Sequence, residues 1–387
     1  MTSPSDRTRL IASATRRGAG RRPVNPPLER ASTMLSDRAE AMRDDAGGPV
    51  YGLDGMTVAR ELRAALAGLE GAEQAFIVPS GLAAVTLPLL ALTRPGDEVV
   101  TTDAVYGPSR RFLSRYQAAR GVTTRFLPAE ADAETILAAV GERTRVVLLE
   151  SPASLTFEMV DVAAVAAGCR ARGVLTVLDN TWGAGLAFKP LAHGVDVSVQ
   201  ALTKYVGGHS DLLMGGIAVN NPRCRSAIAD AIEDMGWHVS PDDAWLALRG
   251  LRTLPLRYAE QGRSGLKVAK WLQGRREVSR VLYPPLPGSV GHALWARDFT
   301  GAASLMGVVM KGGDAAAGRR MLDALSLFGL GYSWGGFESL ATHETHQMAY
   351  RDHPPVLEGE LIRLHIGLED PEDLIADLER GLAAFAG

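Results

Sequence analysis

Cysteine is nearly absent from this sequence: among 387 residues there are two, Cys169 and Cys224. Two cysteines do not make a disulfide framework, which points to a reducing compartment, and both are expected as small buried apolar side chains. A strong charge imbalance is missing too. The formal net charge is −3, which gives no electrostatic reason to expect a nucleic-acid or membrane partner. Long hydrophobic runs are also lacking. The longest, Leu82 to Leu92, contains Pro88 and falls short of the roughly 18 residues of a membrane span. The first thirty residues carry seven arginines but no apolar stretch of the signal-peptide kind, so the chain is expected in the cytoplasm. Internal repeats and low-complexity tracts are absent. What remains is 46% hydrophobic, enough to bury a large core divided into about two or three domains.

Residues 1 to 57 have too little apolar periodicity for a self-contained unit. The run Arg16-Arg17-Gly18-Ala19-Gly20-Arg21-Arg22-Pro23 is basic, and Val24-Asn25-Pro26-Pro27 cannot be helical throughout. No aromatic interleaving or binding motif accompanies this segment, so it reads as an arm that packs on a partner subunit. From residue 58 to 246 helical and extended runs alternate. Val58 to Leu69 places Leu62, Ala65, Leu66 and Leu69 on one helical face. Phe76 to Val78, Glu98 to Thr102, Val122 to Phe126, Arg145 to Leu149, Val174 to Leu178 and Val195 to Val199 read as strands. Helical stretches such as Glu134 to Val140 and Asp161 to Arg172 separate several of them. This alternation implies an α/β fold with a mostly parallel sheet covered on both faces. From 247 to 387 the character changes to a smaller α+β domain, with Gly265 to Leu272 helical and Val278 to Tyr283 extended.

Sites in such sheets form at the C-terminal ends of the strands. Asp179 lies at the end of the run Val174 to Leu178, and 25 positions later Lys204 follows the run Val195 to Val199. A lysine after a strand is ordinarily a solvated surface residue, and an aspartate there is ordinarily a turn-former. Together they make the layout that pyridoxal phosphate (PLP) chemistry requires. The lysine holds the cofactor aldehyde as a Schiff base, and the aspartate keeps the pyridine nitrogen protonated so that the ring accepts electrons.

Pro79-Ser80-Gly81-Leu82-Ala83 joins a strand to a helix, and the N–H groups at Ser80, Gly81 and Leu82 could cradle the phosphate. Ser-Gly is also a common helix cap. Thr203 could add a hydroxyl to the same phosphate. Tyr106 follows a strand end, where its ring could stack on a pyridine or serve as a loop anchor.

The sequence resembles the Cys/Met-metabolism family of fold-type-I PLP-dependent enzymes, and within it the cystathionine β-lyases. The segments that carry the resemblance are Leu149-Glu150-Ser151-Pro152, Leu178-Asp179-Asn180-Thr181-Trp182, Thr203-Lys204-Tyr205 with Gly208-His209-Ser210-Asp211, Leu248 to Leu254, Tyr332-Ser333-Trp334-Gly335-Gly336 and Leu361 to Glu369. They keep their order from about Thr8 to Phe385. The resemblance implies that Lys204, Asp179 and Tyr106 carry the chemistry with PLP and no metal, and that Arg363 clamps the substrate α-carboxylate as a guanidinium fork. Ser333 and Trp334 would line the substrate pocket, although Trp334 could equally be a core aromatic. Tyr51 would cross from a neighbouring subunit to the phosphate, so that the active sites of a homo-oligomer, a dimer of dimers, are shared. The implied reaction is cleavage of L-cystathionine, and other cysteine S-conjugates, in transsulfuration and methionine biosynthesis. Cystathionine would yield homocysteine, pyruvate and ammonia. Chemistry at the γ-carbon, or a PLP-binding regulatory protein, stays open. Two positions depart from the family pattern. An arginine that pairs with the phosphate is replaced by Leu53, and a serine three residues before the lysine is replaced by Ala201.

Overall fold

The β-branched runs form a seven-stranded sheet built from β1 (Gln74–Val78), β2 (Glu98–Thr102), β3 (Thr123–Leu127), β4 (Thr144–Glu150), β5 (Leu175–Asp179), β6 (Val197–Ala201) and β7 (Gly215–Val219). The structure, a computed structural model, describes residues 4–12, 21, 23–43 and 48–387. The strand order is β1-β7-β6-β5-β4-β2-β3. The pairs β2/β3, β2/β4, β4/β5 and β5/β6 are parallel, and β7 runs antiparallel between β1 and β6. Successive side chains of β4 alternate between two cores. Val146 and Leu148 meet Val85, Leu87, Cys224 and Ile228 on one face, while Val147 and Leu149 meet Leu62, Leu66, Val165 and Cys169 on the other. Helices Gly81–Leu92 and Pro222–Asp234 supply the first layer, and Thr57–Glu70 and Val162–Ala171 the second. Both cysteines are buried and unpaired, and burial pushes their thiols up to about 11 for Cys169 and about 12 for Cys224. They sit as inert core residues.

A second sheet follows, of β8 (Val278–Leu282), β9 (Leu305–Met310), β10 (Gly329–Leu330), β11 (Leu340–His343) and β12 (Leu361–His365), in the order β10-β11-β12-β9-β8. Its pairs are antiparallel except β10/β11. Met321 from helix Ala315–Asp323 and Leu374, Leu378 and Leu382 from helix Pro371–Ala386 close its core. The two sheets are joined by one helix of 33 residues, Pro241–Gln273, capped at its start by the Ser240 side chain on the N–H of Asp242. The boundary expected at 246/247 therefore falls inside a helix, whose residues Leu248, Leu251 and Leu254 share a core with both sheets. The β6 strand sits two residues later than its apolar run, because Pro190–His193 forms a 3₁₀ turn closed by Gly194. No helix among the described residues is long and apolar enough to cross a membrane.

The arm divides in two. Helix Asp6–Ala12 docks on its own chain, with Leu10 in the core and Asp6 paired to Lys189 at 2.9 Å. This part of the expected arm is thus seated on its own chain, by the buried Leu10 and by the ion pair of Asp6 with Lys189. Downstream, Val24, Leu35, Tyr51 and Leu53 are exposed. The segment is tied to the long helix by contacts of Asn25 with Arg252 and Arg30 with Asp242. Most of the basic run, residues 16–20 and 22, lies outside the described residues.

Candidate active site

Strand connections diverge between β2 and β4: β2 leads outward to β3, whereas β4 leads the other way to β5. The loops part there and leave a crevice at the C-terminal strand ends. Tyr106 lies just beyond β2, Glu150 ends β4, Asp179 ends β5, and Lys204 comes three residues after β6. All four line a cavity of about 220 Å³, together with Ser80, Gly81, Leu82, Thr203, Trp334 and Arg363. Most of the sequence-derived site residues thus converge from five strand ends and the second sheet.

Lys204 is held in a turn braced from the long helix. Arg257 donates to the carbonyls of Tyr205 at 2.8 Å and Val206 at 3.3 Å. The Lys204 Nζ donates to Ser333 Oγ at 2.7 Å and lies 5.5 Å from the Trp334 ring centre. Burial lowers its pKa, the Arg363 guanidinium lowers it further, and Asp179 partly opposes both, leaving it at about 8. Asp179 is raised by burial, against hydrogen bonds from Thr181 and the charge of Lys204. Its Oδ1 accepts from the Thr181 N–H at 3.0 Å and from the Thr181 hydroxyl at 2.5 Å, while Oδ2 has no hydrogen-bond partner among the described residues. The Thr181 hydroxyl in turn accepts from the N–H of Ala201 at 2.9 Å, so β5 and β6 are locked at the point where each delivers its functional group.

The phosphate-cradle geometry is present. Ser80 caps helix Gly81–Leu92 by accepting from the N–H of Ala83 at 3.1 Å. The N–H groups of Gly81 and Leu82 at this helix start have no partner among the described residues. A Cβ at Gly81 would stand 2.3 Å from that of Ala201, so only glycine lets the two backbones approach this closely. Thr203 lines the cavity, but its hydroxyl proton goes to the carbonyl of Met214 at 3.2 Å. It would have to exchange that bond to serve a phosphate. Among the described residues Lys204 and Arg363 are the only cations that line the cavity.

Arg363, on β12, faces the same space. Its Nη2 donates to the carbonyl of Ser333 at 3.4 Å, and Nη1 lies 3.6 Å from the buried carboxylate of Glu344. Ser333 has φ of 90°, a left-handed conformation uncommon for a residue with a side chain. Trp334 packs edge-on against Tyr205 at 5.5 Å. Tyr51 and Leu53 are about half exposed, and neither lines the cavity of its own chain.

Glu150 received no role from the sequence, although it stands in one of the quoted motifs. It is the register partner of Asp179 and accepts from the N–H of Tyr106 at 2.7 Å. Burial, then the charge of Asp179, raises its pKa well above the carboxylate range. Burial and the carboxyl groups of Glu150 and Asp179 raise the Tyr106 phenol, so its ring stays neutral. Thr181 and His365 were also missed, and in each case the only available signal was membership of a motif.

Comparison with known proteins agrees with this geometry. The model of a family described as Cys/Met metabolism PLP-dependent enzyme matches residues 7–383. The cystathionine beta-lyase MetC of Escherichia coli is 42% identical over 93% of this chain and 93% of its own length. The cystathionine beta-lyase of Bordetella avium is 40% identical over 94% of this chain and 93% of its own. The crystal structure of metB from Corynebacterium glutamicum superposes with a TM-score of 0.92, at 29% identity, over 98% of both chains.

Proposed function

The chain belongs to the Cys/Met-metabolism family of PLP-dependent enzymes, and on that footing we propose that it is a cystathionine β-lyase. It cleaves the Cβ–S bond of L-cystathionine to give L-homocysteine, pyruvate and ammonia, and accepts other cysteine S-conjugates. The observation that carries the reading is the single cavity that a lysine with a pKa of about 8 shares with a half-buried aspartate, Asp179, and a half-buried arginine, Arg363.

The residues present fit the cofactor. The free N–H groups of Gly81 and Leu82 suit its phosphate, the unpartnered Oδ2 of Asp179 suits a protonated pyridine nitrogen, and Lys204 suits its aldehyde. Bound PLP supplies an electron sink for the pair released when the substrate loses its α-proton. Lys204 takes that proton: its lowered pKa leaves a useful fraction of free amine at neutral pH. Asp179 holds a negative charge where the ring nitrogen needs one. Arg363 binds the α-carboxylate, and with the neutral Tyr106 ring it sets the orientation of the Cα–H bond. Ser333 and Trp334 shape the pocket around the substrate. The enzyme works in the cytoplasm as a homo-oligomer, a dimer of dimers, in which the exposed Tyr51 reaches into a neighbouring subunit's site. An exposed arm with little core of its own supports that assembly.

The test is product analysis with L-cystathionine. Pyruvate and homocysteine are expected in equal amounts. Predominant 2-oxobutyrate and cysteine would place the enzyme on the γ side, and no breakdown of any cysteine conjugate would leave a PLP-binding protein without this activity.

A further inference from the structure

His365 ends β12, two residues beyond Arg363, and is 1% exposed. It does not line the cavity, yet its hydrogen bonds join the loop that carries Ser333 and Trp334 to Ser304, which in turn bonds Tyr205 beside Lys204. Its Nε2 accepts from the N–H of Gly335 at 3.1 Å, and its Nδ1 lies 3.1 Å from the hydroxyl of Ser304. Ser304 gives its own proton to the carbonyl of Ile366 at 2.6 Å, so its oxygen is an acceptor toward the ring. The N–H of Ser304 goes to the hydroxyl of Tyr205 at 2.9 Å, beside Lys204. Only one form of the ring satisfies these partners: neutral, with the proton on Nδ1. The carbonyl of Gly336, 3.2 Å from Nε2, does not require the other tautomer, because Gln261 already donates to it at 2.5 Å. Burial, with Arg363 and Lys204 nearby, pushes the imidazole pKa down to about 3, in keeping with the neutral ring.

The Gly335 end of this network controls a tight loop. Gly335 has φ of 82°, and a Cβ on it would stand 2.7 Å from the N–H nitrogen of Tyr205. The loop therefore presses on the backbone of the lysine turn. Two residues earlier, Ser333 presents its hydroxyl to Lys204 and its carbonyl to Arg363. We propose that His365 is a positioning residue: by accepting the Gly335 N–H it fixes the Ser333–Trp334 loop, and through that loop the aim of Arg363 at the substrate carboxylate. Both ring nitrogens of His365 have partners here, and removing the acceptor at Nε2 leaves the buried N–H of Gly335 without one.

Two substitutions separate the ring's two bonds. In His365→Gln the amide oxygen reaches the Nε2 position and keeps an acceptor for Gly335. In His365→Asn the amide reaches only the Nδ1 position, and Gly335 loses its acceptor. Each holoenzyme is compared with wild type by amide hydrogen exchange over 333–337 and by steady-state kinetics with L-cystathionine. His365→Asn is expected to exchange faster there and to raise KM about tenfold with kcat within about threefold, whereas His365→Gln stays near wild type in both. An unchanged KM in His365→Asn, or an equal rise in both variants, overturns the inference. If His365→Asn does not fold, Ser304→Ala removes the acceptor that sets the tautomer and carries the same expectation. A folded Ser304→Ala with unchanged KM overturns it. The inference takes its substrate from the β-lyase reading. A wild-type enzyme that released no pyruvate would sink that reading alone, and the exchange comparison of Asn with Gln would still judge His365.

Discussion

At neutral pH an ordinary lysine is almost wholly protonated, and Lys204 is placed to avoid this. With its pKa at about 8, about a tenth of the side chain is free amine at pH 7, against about one part in 3,000 at the ordinary value of 10.5, a gain of roughly 300-fold. Recombination of PLP with the apo-protein should therefore accelerate about tenfold per pH unit up to about pH 8 and level off above it. Stopped-flow absorbance at the cofactor's visible band measures this directly. Arg363→Met removes the neighbouring cation that helps to lower Lys204 while leaving burial, the larger cause, in place. The breakpoint should move up, staying below 10.5, and the rate at pH 7 should fall, while rates above both breakpoints converge. The same shift predicts a stability effect. The folded-state pKa lies below the unfolded one, so the buried ammonium destabilises the apo-fold below about pH 8, and this cost fades as pH rises toward 10.5. Apo Lys204→Met should accordingly be more stable than wild type at pH 7, by about 1–2 kcal/mol once residual solvent access is discounted, with the advantage shrinking at high pH. A wild-type breakpoint near 10.5, or a downward move in Arg363→Met, would refute the reasoning.

Two further outcomes follow. Leu53→Arg should tighten PLP about tenfold or more in equilibrium dialysis, since a charge-assisted contact contributes about 1.5–3 kcal/mol and no cation other than Lys204 and Arg363 lines the cavity among the described residues; unchanged affinity would mean that the phosphate is already satisfied. Glu150→Gln should keep turnover within about threefold, because an amide oxygen still accepts the Tyr106 N–H, whereas Glu150→Ala should lose about tenfold or more; equal losses in both would show that the carboxyl acts by ionising.

Much of the α/β layer was readable because its strands are short β-branched runs between turn residues, as Val99 and Val100 in β2 or Val146 to Leu149 in β4 show. The strand β7 was not. It opens Gly215-Gly216, and two glycines erase the β signal that Ile217-Ala218-Val219 alone would give. The helix Pro241–Gln273 was recognised only near its end, since Pro255 and scattered charged residues such as Arg249, Arg252 and Arg257 break the apolar pattern that its neighbours complete in three dimensions. Within the site, Lys204 and Asp179 were legible from their places at strand ends. Glu150 and His365 were not, because their roles depend on which residue lies across a strand or behind a loop. That Glu150 is the partner of Asp179 is a fact of register between β4 and β5, and no local spacing encodes it.

That register also explains how the cavity divides its labour. Its ionisable groups are arranged as like beside like: Lys204 near Arg363, and Glu150 near Asp179. In a buried space two like charges cannot both persist cheaply, so each pair resolves into one fixed charge and one group pushed toward neutrality. Among the bases, a guanidinium holds its proton far more tightly than an amine, so Arg363 remains the cation, which supports the proposed role of Lys204 as proton acceptor. For the acids, Asp179 receives two hydrogen bonds from Thr181 and faces Lys204, while Glu150 receives one from the Tyr106 backbone. Both carboxyls are raised, but Asp179 has more to hold its charge, and Glu150 is the one pushed further toward its neutral form. The proposed division into base, carboxylate clamp, ring-nitrogen partner and neutral brace matches these two pairings, and on that reading exchanging the members of either pair would leave the cavity with its charge in the wrong place.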